Sequence, residues 1–456
     1  MNQFKQAAPT LRVVELFAGV GGFRHGLTSV ETKNSPRAFD VVWSNQFEPG
    51  CVKQHAARVY RARWGDDGFV NRDINAVLAD HTAMAELDSL QPNMLVGGFP
   101  CQDYSVALPK NRSEGLQGKK GVLWWSIKQM VQARQDAGKP FDYLMLENVD
   151  RLINSPSTCR GRDFAVILST LQNLGYAVEW RVVNSADYGF PQRRRRTFIL
   201  AYHCSTALYA QLRSAAETLQ ATEWMTKTGP FGHSMPAEVK SNEQIATFDL
   251  SSDILEAQEN YAPVRGVSRF KAAGICIEGK VSTVATRAYV PNDFMAYVGQ
   301  SAAMTLGDVT STTRDVGAEY FLNDVQLARW EYLKGSKSIE RTSSTGFAYV
   351  FKEGALAFPD CLDTPSRTII TSEGGRSASR TTHVVQDNSG RLRRLTPEEL
   401  EELNGFPRGF TRVVDIPAGR RGYLMGNALV TGIVRLIGTA LAEAHSAAWQ
   451  TTKTTE

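Results

Sequence analysis

An open, doubly wound α/β fold joined to a second, irregular domain is what this sequence predicts, and three observations predict it. Over the first two hundred residues, short apolar runs alternate with helix-length amphipathic segments, the mark of a parallel sheet built from βαβ units. From about 205 to 390 that pattern decays into short polar segments rich in Ser, Thr and Gly. At 391 regular signals return and run to a last apolar helix. With 456 residues, 42% of them hydrophobic, the chain can fill two ordinary cores.

Strands are expected at LRVVELF (11 to 17), FDVVWS (39 to 44), NMLVGGF (93 to 99), DYLMLE (142 to 147), AVEWRVV (177 to 183) and RTFILAY (196 to 202). Helices fill the gaps, most clearly at 51 to 64, 121 to 138 and 163 to 175. In the irregular part only weak strands are legible, such as KVSTVATRAYV (280 to 290) and FAYVFKEG (347 to 354). In GRLRRLTPEELEELNGFP, Thr396, Pro397 and Glu399 form a capped helix start and Gly405 a stop. A final helix is expected at 430 to 449, with a frayed TTKTTE tail.

No apolar stretch reads as long enough for a bilayer, and the first ten residues lack the charged head and apolar segment of a signal peptide, so a cytoplasmic setting is expected. The six cysteines, at 51, 101, 159, 204, 276 and 361, are scattered without a CxxC pair, which favours reduced thiols and no metal site. A net charge of +4 says little about partners by itself.

Four stretches could carry chemistry. ELFAGVGGFRHG places glycines at 19, 21, 22 and 26 after the first strand, where open α/β sheets bind cofactors. The dinucleotide fingerprint fails there, because Arg24 stands at its third glycine, and a bare tight turn is an equal alternative. GGFPCQDYS delivers Cys101 to the same sheet edge, as a nucleophile or as an inert buried thiol. LMLENV brings Glu147 and Asn148 there too, and a carboxyl leaving an apolar strand beside a crevice suits a proton donor. In DYGFPQRRRRTFILAY, strand alternation sends Arg194 and Arg196 to one side and Arg193 and Arg195 to the other. Such guanidinium pairs are either anion clamps or plain surface.

Taken together, LFAGVGGF, GFPCQDYS, ENV, DYGFPQRRRR, RRLTPEELEELNGFP and GNALV resemble, in order, the motifs of the bacterial-type DNA (cytosine-5-)-methyltransferases. The resemblance implies a Rossmann-like class I S-adenosylmethionine-dependent fold: a large domain over 1 to 204, a small, mostly β target-recognition domain over 205 to 390, a hinge over 391 to 422 and a C-terminal helix over 423 to 456 returning to the large domain. It implies transfer of methyl from S-adenosylmethionine to C5 of a flipped-out cytosine in a short duplex site, leaving S-adenosylhomocysteine, with no metal. Cys101 matches the thiolate that attacks C6, Glu147 the acid at N3, and Arg194 and Arg196 the arginines of a QxRxR motif that Gln192 begins. Phe17, Gly19, Val20, Gly21 and Gly22 match the methionine-wrapping motif, and Asp73, followed by Ile74, the acid at the adenine amino group. Phe47 matches an adenine-stacking aromatic, Pro100 and Leu123 cofactor walls, and Asn427 with Ala428 the last motif. The segment 102 to 120, with Lys110, Arg112, Lys119 and Lys120, matches a loop that closes over DNA.

Where the family usually has S-N-E for the cofactor ribose, this chain has Ser44-Asn45-Gln46, with an acid only at Glu48, so either Gln46 or Glu48 is the expected ribose partner. Double-stranded DNA is the expected partner, with a separately acting cognate restriction endonuclease as a second candidate. No membrane partner is expected, and the enzyme should be monomeric and nucleoid-associated through DNA. Arg265, Arg269, Lys271, Arg287, Arg376 and Arg380 are candidate DNA contacts. A catalytically silent DNA-binding relative and an RNA cytosine methyltransferase are the competing readings. Intact Cys101, Glu147 and the arginine pair oppose the first, and the long 205 to 390 segment opposes the second.

Overall fold

The computed structural model describes residues 8–32, 37–99, 122–218, 220–342 and 346–455. Its spine is a sheet of ten described strands. The first seven are β1 (Leu11–Leu16), β2 (Phe39–Asn45), β3 (Phe69–Val70), β4 (Met94–Gly98), β5 (Tyr143–Val149), β6 (Tyr176–Asn184) and β7 (Arg195–His203), in spatial order β3-β2-β1-β4-β5-β7-β6. The first five pair in parallel, and β7 lies antiparallel between β5 and β6. Every strand expected from the apolar runs forms, with ends displaced by a residue or two.

Alternation along the strands feeds two cores. Val13, Met94, Met145 and Leu200 point to one face, where α1 (Gly22–Thr28), α7 (Ala207–Glu217) and the C-terminal helix Thr431–Thr455 cover them. Val14, Leu95, Leu144 and Ile199 point to the other, under α3 (Ile74–Leu78), α5 (Val122–Asp136) and α6 (Arg162–Asn173). Between them, α2 (His55–Trp64) follows β2 and α4 (His81–Ser89) follows α3. The first of these begins four residues later than the sequence reading has it, because Gln54 adopts φ 42 just before it.

The sheet continues past residue 204, where the sequence reading ends the large domain. Strand Ala273–Ile277 pairs antiparallel with β6, Lys280–Val284 with that strand, and Ala246–Asp249 closes the edge. These strands are four or five residues long and lie among Ser, Thr and Gly, too short to show a period. Beyond 285 the chain mixes short helices with a two-stranded ribbon, Lys337–Thr342 with Ala348–Glu353. A separate core of Leu306, Ile369, Val385, Leu395, Leu403, Phe406 and Met425 joins this part to Val20 and Val59. Thr396 and Glu399 make the expected capping box, and Gly405 ends its helix at φ +79.

The C-terminal helical run Ala418–Gln450 is long and apolar enough by composition to cross a membrane, against the sequence reading. Its most apolar window is 72% buried inside the fold, as befits a core helix.

Candidate active site

β1 ends in a turn with three left-handed residues, Phe17 (φ 53), Gly19 (φ 58) and Gly21 (φ 85). A non-glycine residue at positive φ is strained by about 1 kcal/mol or more and persists only where its surroundings demand it. Here Ala18 N–H donates to the Asn45 carbonyl (3.0 Å), Gly21 N–H to the Ala18 carbonyl (2.7 Å), and Gly19 N–H to Gln46 Oε1 (2.7 Å). The ends of β1 and β2 are thereby laced together. A Cβ on Gly19 would meet nothing within 4 Å, so that position opens on free space.

That space is a cleft lined by Phe17, Gly19, Val20, Gly22, Gln46, Glu48, Gly98, Glu147, Asn427 and Ala428. The chain thus brings together strand ends from β1, β2, β4 and β5 with the turn before the C-terminal helix. Gly21 looks the other way: a Cβ there would stand 2.2 Å from Trp64, so this glycine permits packing and does not line the cleft. Gly22 does both, its Cβ position lying 3.0 Å from Leu429.

Glu147, at the end of β5, has a side chain 13% exposed, and its Oε1 accepts from Arg196 Nε at 2.8 Å. Its Oε2 lies 3.1 Å from where a Cβ on Gly98 would stand. The carboxylate is therefore oriented by one guanidinium and roofed by a glycine, and its second oxygen has no hydrogen-bond donor among the described residues. Asn148 next to it is buried and donates from Nδ2 to the Phe99 carbonyl at 2.7 Å. It fixes the exit of β4, a role that no spacing in the sequence announces.

Arg194 and Arg196 lie near one another as strand alternation predicts, but their surroundings differ. Arg194 is buried and donates to the carbonyls of Ile369 (2.9 Å) and Gly426 (3.0 Å). Burial, and after it the Arg196 charge, push its guanidinium down to about 9, while Glu147 pulls upward. Gln192 is also fully buried, donating to the Leu403 carbonyl and Asn404 Oδ1 and accepting from Ile369 N–H. Both residues tie 366 to 370 and the C-terminal region to the rim of the cleft.

On the cofactor side, Gln46 Oε1 is already engaged by Gly19. Glu48 Oε1 pairs with Arg420 at 2.5 Å, a partner the sequence reading missed because it lies 372 residues away. Phe47, which stands between these two lining residues in the sequence, is exposed and is not part of the cleft lining. Asp73 is exposed, lies outside the cleft lining and caps α3 by accepting from Asn75 N–H (2.8 Å). Ile74 is buried and Leu123 half-buried in the core beneath α3 and α5. Cys101, Pro100 and the 102 to 120 segment with its four cations lie outside the described residues.

Glu15, which the sequence shows only as part of a motif, is a strongly perturbed carboxyl beside the turn. It is completely buried, accepting from Arg24 N–H (3.2 Å) and the Tyr60 hydroxyl (3.0 Å). Burial pushes its carboxyl up to about 7 against those hydrogen bonds. Among the candidate DNA contacts, Arg287 pairs with Glu238 (2.8 Å), Arg269 lies over the Phe248 ring, and Arg380 donates to the carbonyls of Leu333, Gly335 and Gly354. Arg265 occupies a turn at φ 51, Lys271 N–H donates to Thr283 Oγ1, and Arg376 is exposed. No cluster of three or more His, Cys, Asp or Glu positioned for a metal occurs among the described residues.

Residues 11–443 match the family model described as C-5 cytosine-specific DNA methylase. The chain is 41% identical over 437 residues to Type II methyltransferase M.Sau3AI of Staphylococcus aureus, covering 96% of each. It is 32% identical over 198 residues to Type II methyltransferase M.NgoBI of Neisseria gonorrhoeae, covering 43% of this chain and 52% of that one. Among solved structures, the Dnmt2 methyltransferase of S. pombe aligns with a TM-score of 0.54 at 14% identity, over 95% of this chain and 98% of that one. A Spodoptera frugiperda DNMT2 mutant aligns at 0.55 and 12% identity, over 95% and 100%. At those identities the likeness concerns the fold, a Rossmann-like methyltransferase architecture.

Proposed function

This chain belongs to the C-5 cytosine-specific DNA methylase family and is a cytosine-5 DNA methyltransferase, and from that premise we propose that it methylates a flipped-out cytosine in a short duplex site through a covalent Cys101 adduct. The observation that carries the reading is the placement of Glu147 and Gly98 on one cleft with the glycine turn, three residues before Cys101 in the chain.

The donor set fits S-adenosylmethionine. Phe17, Gly19 and Val20 form a wall with open backbone for an amino-acid moiety, and Phe47 offers an exposed ring. Gln46 Oε1 holds the turn, so its amide nitrogen, or Glu48 Oε2, which accepts only a long 3.4 Å bond from Ala56 N–H, is the group left for a ribose hydroxyl. Gly21 and Asp73 belong to the scaffold in this reading: the first seats Trp64 and the second caps α3. When bound, the cofactor supplies an electrophilic methyl on its sulfonium.

C5 of cytosine is a poor nucleophile. The Cys101 thiolate forms a bond to C6, and the ring electrons shift toward C5 as Glu147, oriented by Arg196, hydrogen-bonds or protonates N3. C5 then takes the methyl. Loss of the C5 proton to a base, expulsion of the thiolate as the C5–C6 double bond re-forms, and return of any N3 proton to Glu147 restore the aromatic ring and the free enzyme. The target atom is inaccessible within a duplex, so the base must leave its stack at a cost of a few kcal/mol recovered in the pocket. Arg194 and Gln192 act as positioning residues, through Ile369, Leu403 and Gly426.

A role beside a separately acting endonuclease accords with the type II naming of the relatives, and the reading has the methylase working as a monomer. The test is transfer of labelled methyl from S-adenosylmethionine to duplex DNA and to RNA, with Cys101→Ala beside the wild type. Transfer to duplex DNA alone, abolished in the variant while DNA binding survives, is expected. Substantial turnover by Cys101→Ala would remove it as nucleophile, and preference for RNA would overturn the substrate.

A further inference from the structure

Gln46 is committed to the scaffold. Its Oε1 accepts the Gly19 N–H at 2.7 Å, its own N–H donates to the Val70 carbonyl at 3.2 Å, and its carbonyl accepts from Asn71 Nδ2. What remains for a ligand is an amide N–H, a donor. A ribose hydroxyl can accept from such a group, but the bond it donates to a carboxylate is charge-assisted and roughly twice as strong.

Glu48 is the carboxylate at hand, and its backbone is gripped from both sides by one side chain. Glu48 N–H donates to Gln54 Oε1 at 2.9 Å, and Gln54 Nε2 donates to the Glu48 carbonyl at 2.8 Å. Asn71 Nδ2 donates to the same Gln54 oxygen at 3.1 Å, which ties the loop to the residue after β3. Gln54 itself stands at φ 42, a strained conformation that these hydrogen bonds sustain. The carboxylate is then aimed from the far end of the chain. Arg420, in the helix Ala418–Asn427, donates from Nη2 to Glu48 Oε1 at 2.5 Å, and the two side chains are 25% and 21% exposed. The Arg420 guanidinium lies 4.3 Å from the Tyr423 ring centre, and its Nε is buried without a hydrogen-bond partner, so ring and ion pair together fix its direction. Glu48 Oε2 keeps only the 3.4 Å bond from Ala56 N–H, and Glu48 lines the cleft beside Gln46 and Ala428.

We propose that Glu48 accepts from a ribose hydroxyl of the cofactor in place of Gln46, and that Arg420 is the positioning residue that holds the carboxylate for it. The inference rests on the reading of the cleft as an S-adenosylmethionine site and decides between the two groups that reading leaves open. With Oε1 tied to Arg420, the carboxylate is oriented before the ligand arrives, which spares the ordering cost of binding. The same helix carries Gly426, whose carbonyl Arg194 holds, so one element braces both the ribose partner and the arginine beside the Arg196–Glu147 pair.

The test is calorimetric binding of S-adenosylhomocysteine and of its 2′-deoxy and 3′-deoxy analogues to the full chain. In the wild type, loss of one of the two hydroxyls is expected to weaken binding about 10- to 100-fold, the usual worth of a hydrogen bond to a charged group. Glu48→Ala should weaken the parent ligand by a similar factor and abolish the preference for that hydroxyl. Arg420→Met should narrow the preference, and Arg420→Lys, which keeps a cation for Oε1, should restore part of it. Should Glu48→Ala fail to fold, Glu48→Gln, nearly identical in shape but uncharged, should narrow the preference in its place. A full hydroxyl preference in the Glu48 variants overturns the proposal and returns the ribose to Gln46. A lowered melting temperature in Arg420→Met with the preference intact overturns the positioning role and leaves a structural ion pair. A wild type that binds all three ligands alike overturns the proposal while the cofactor site stands, and one that binds neither these ligands nor S-adenosylmethionine overturns the reading of the cleft itself.

Discussion

Replacing Glu15 by glutamine should make the protein progressively more stable than the wild type as pH rises from 5 to 8. Glu15 is fully buried, and its carboxyl is pushed from 4.5 up to about 7 by loss of water. Between those two values the folded state holds a proton that the unfolded chain releases, so this group's contribution to stability falls with rising pH. Over that rise the full effect is about 3 kcal/mol, most of which falls between pH 5 and pH 8. Glutamine has nearly the same shape, keeps one oxygen to accept from Arg24 N–H or the Tyr60 hydroxyl, and carries no charge to desolvate. Wild type and variant would be unfolded in urea at several pH values and their difference plotted. Glu179, also buried and pushed to about 7, tilts both curves equally and cancels in that difference. A difference independent of pH would mean that Glu15 is ionised in the folded protein throughout, and that the Arg24 and Tyr60 contacts outweigh burial.

Glu147→Gln should slow methyl transfer by two orders of magnitude or more, about 3 kcal/mol, with S-adenosylmethionine affinity little changed in titration; an unaltered single-turnover rate would exclude acid assistance. Arg196→Ala leaves the Glu147 carboxylate without its 2.8 Å partner and should lower the transfer rate at least tenfold without moving the melting temperature by more than a degree or two. Gly21→Ala combines a φ of 85 with a Cβ 2.2 Å from Trp64 and should destabilise by ~2 kcal/mol or more, checked by denaturation. Exchanging 285 to 390 for the corresponding segment of a relative should transfer that relative's site preference, read by bisulfite sequencing.

The large-domain sheet was legible because its strands are apolar runs of five to nine residues between helical periods, and burial on both faces leaves such runs almost continuous. The strands at 246–249 and 273–277 were not, and 280–284 was legible only as the start of a weak run: they are short, and the register of 273–277 is set by pairing with β6, a partner about a hundred residues away. Residue type and order likewise sufficed to bring Glu147, Arg196 and the glycine turn to one sheet edge, because a parallel sheet delivers its strand ends to the same side.

Local order in the sequence therefore determined the doubly wound class, the capped helix at Thr396 and the gathering of Glu147, Arg196 and the glycine turn at one sheet edge. Tertiary packing alone decided that Gly21 seats Trp64 while Gly19 faces the cleft, that Arg194 binds carbonyls at 369 and 426, and that Glu48 meets Arg420. The physical reason is range: propensity and alternation act over a few residues, whereas desolvation and the pairing of buried polar groups depend on whatever distant segment the fold brings against them.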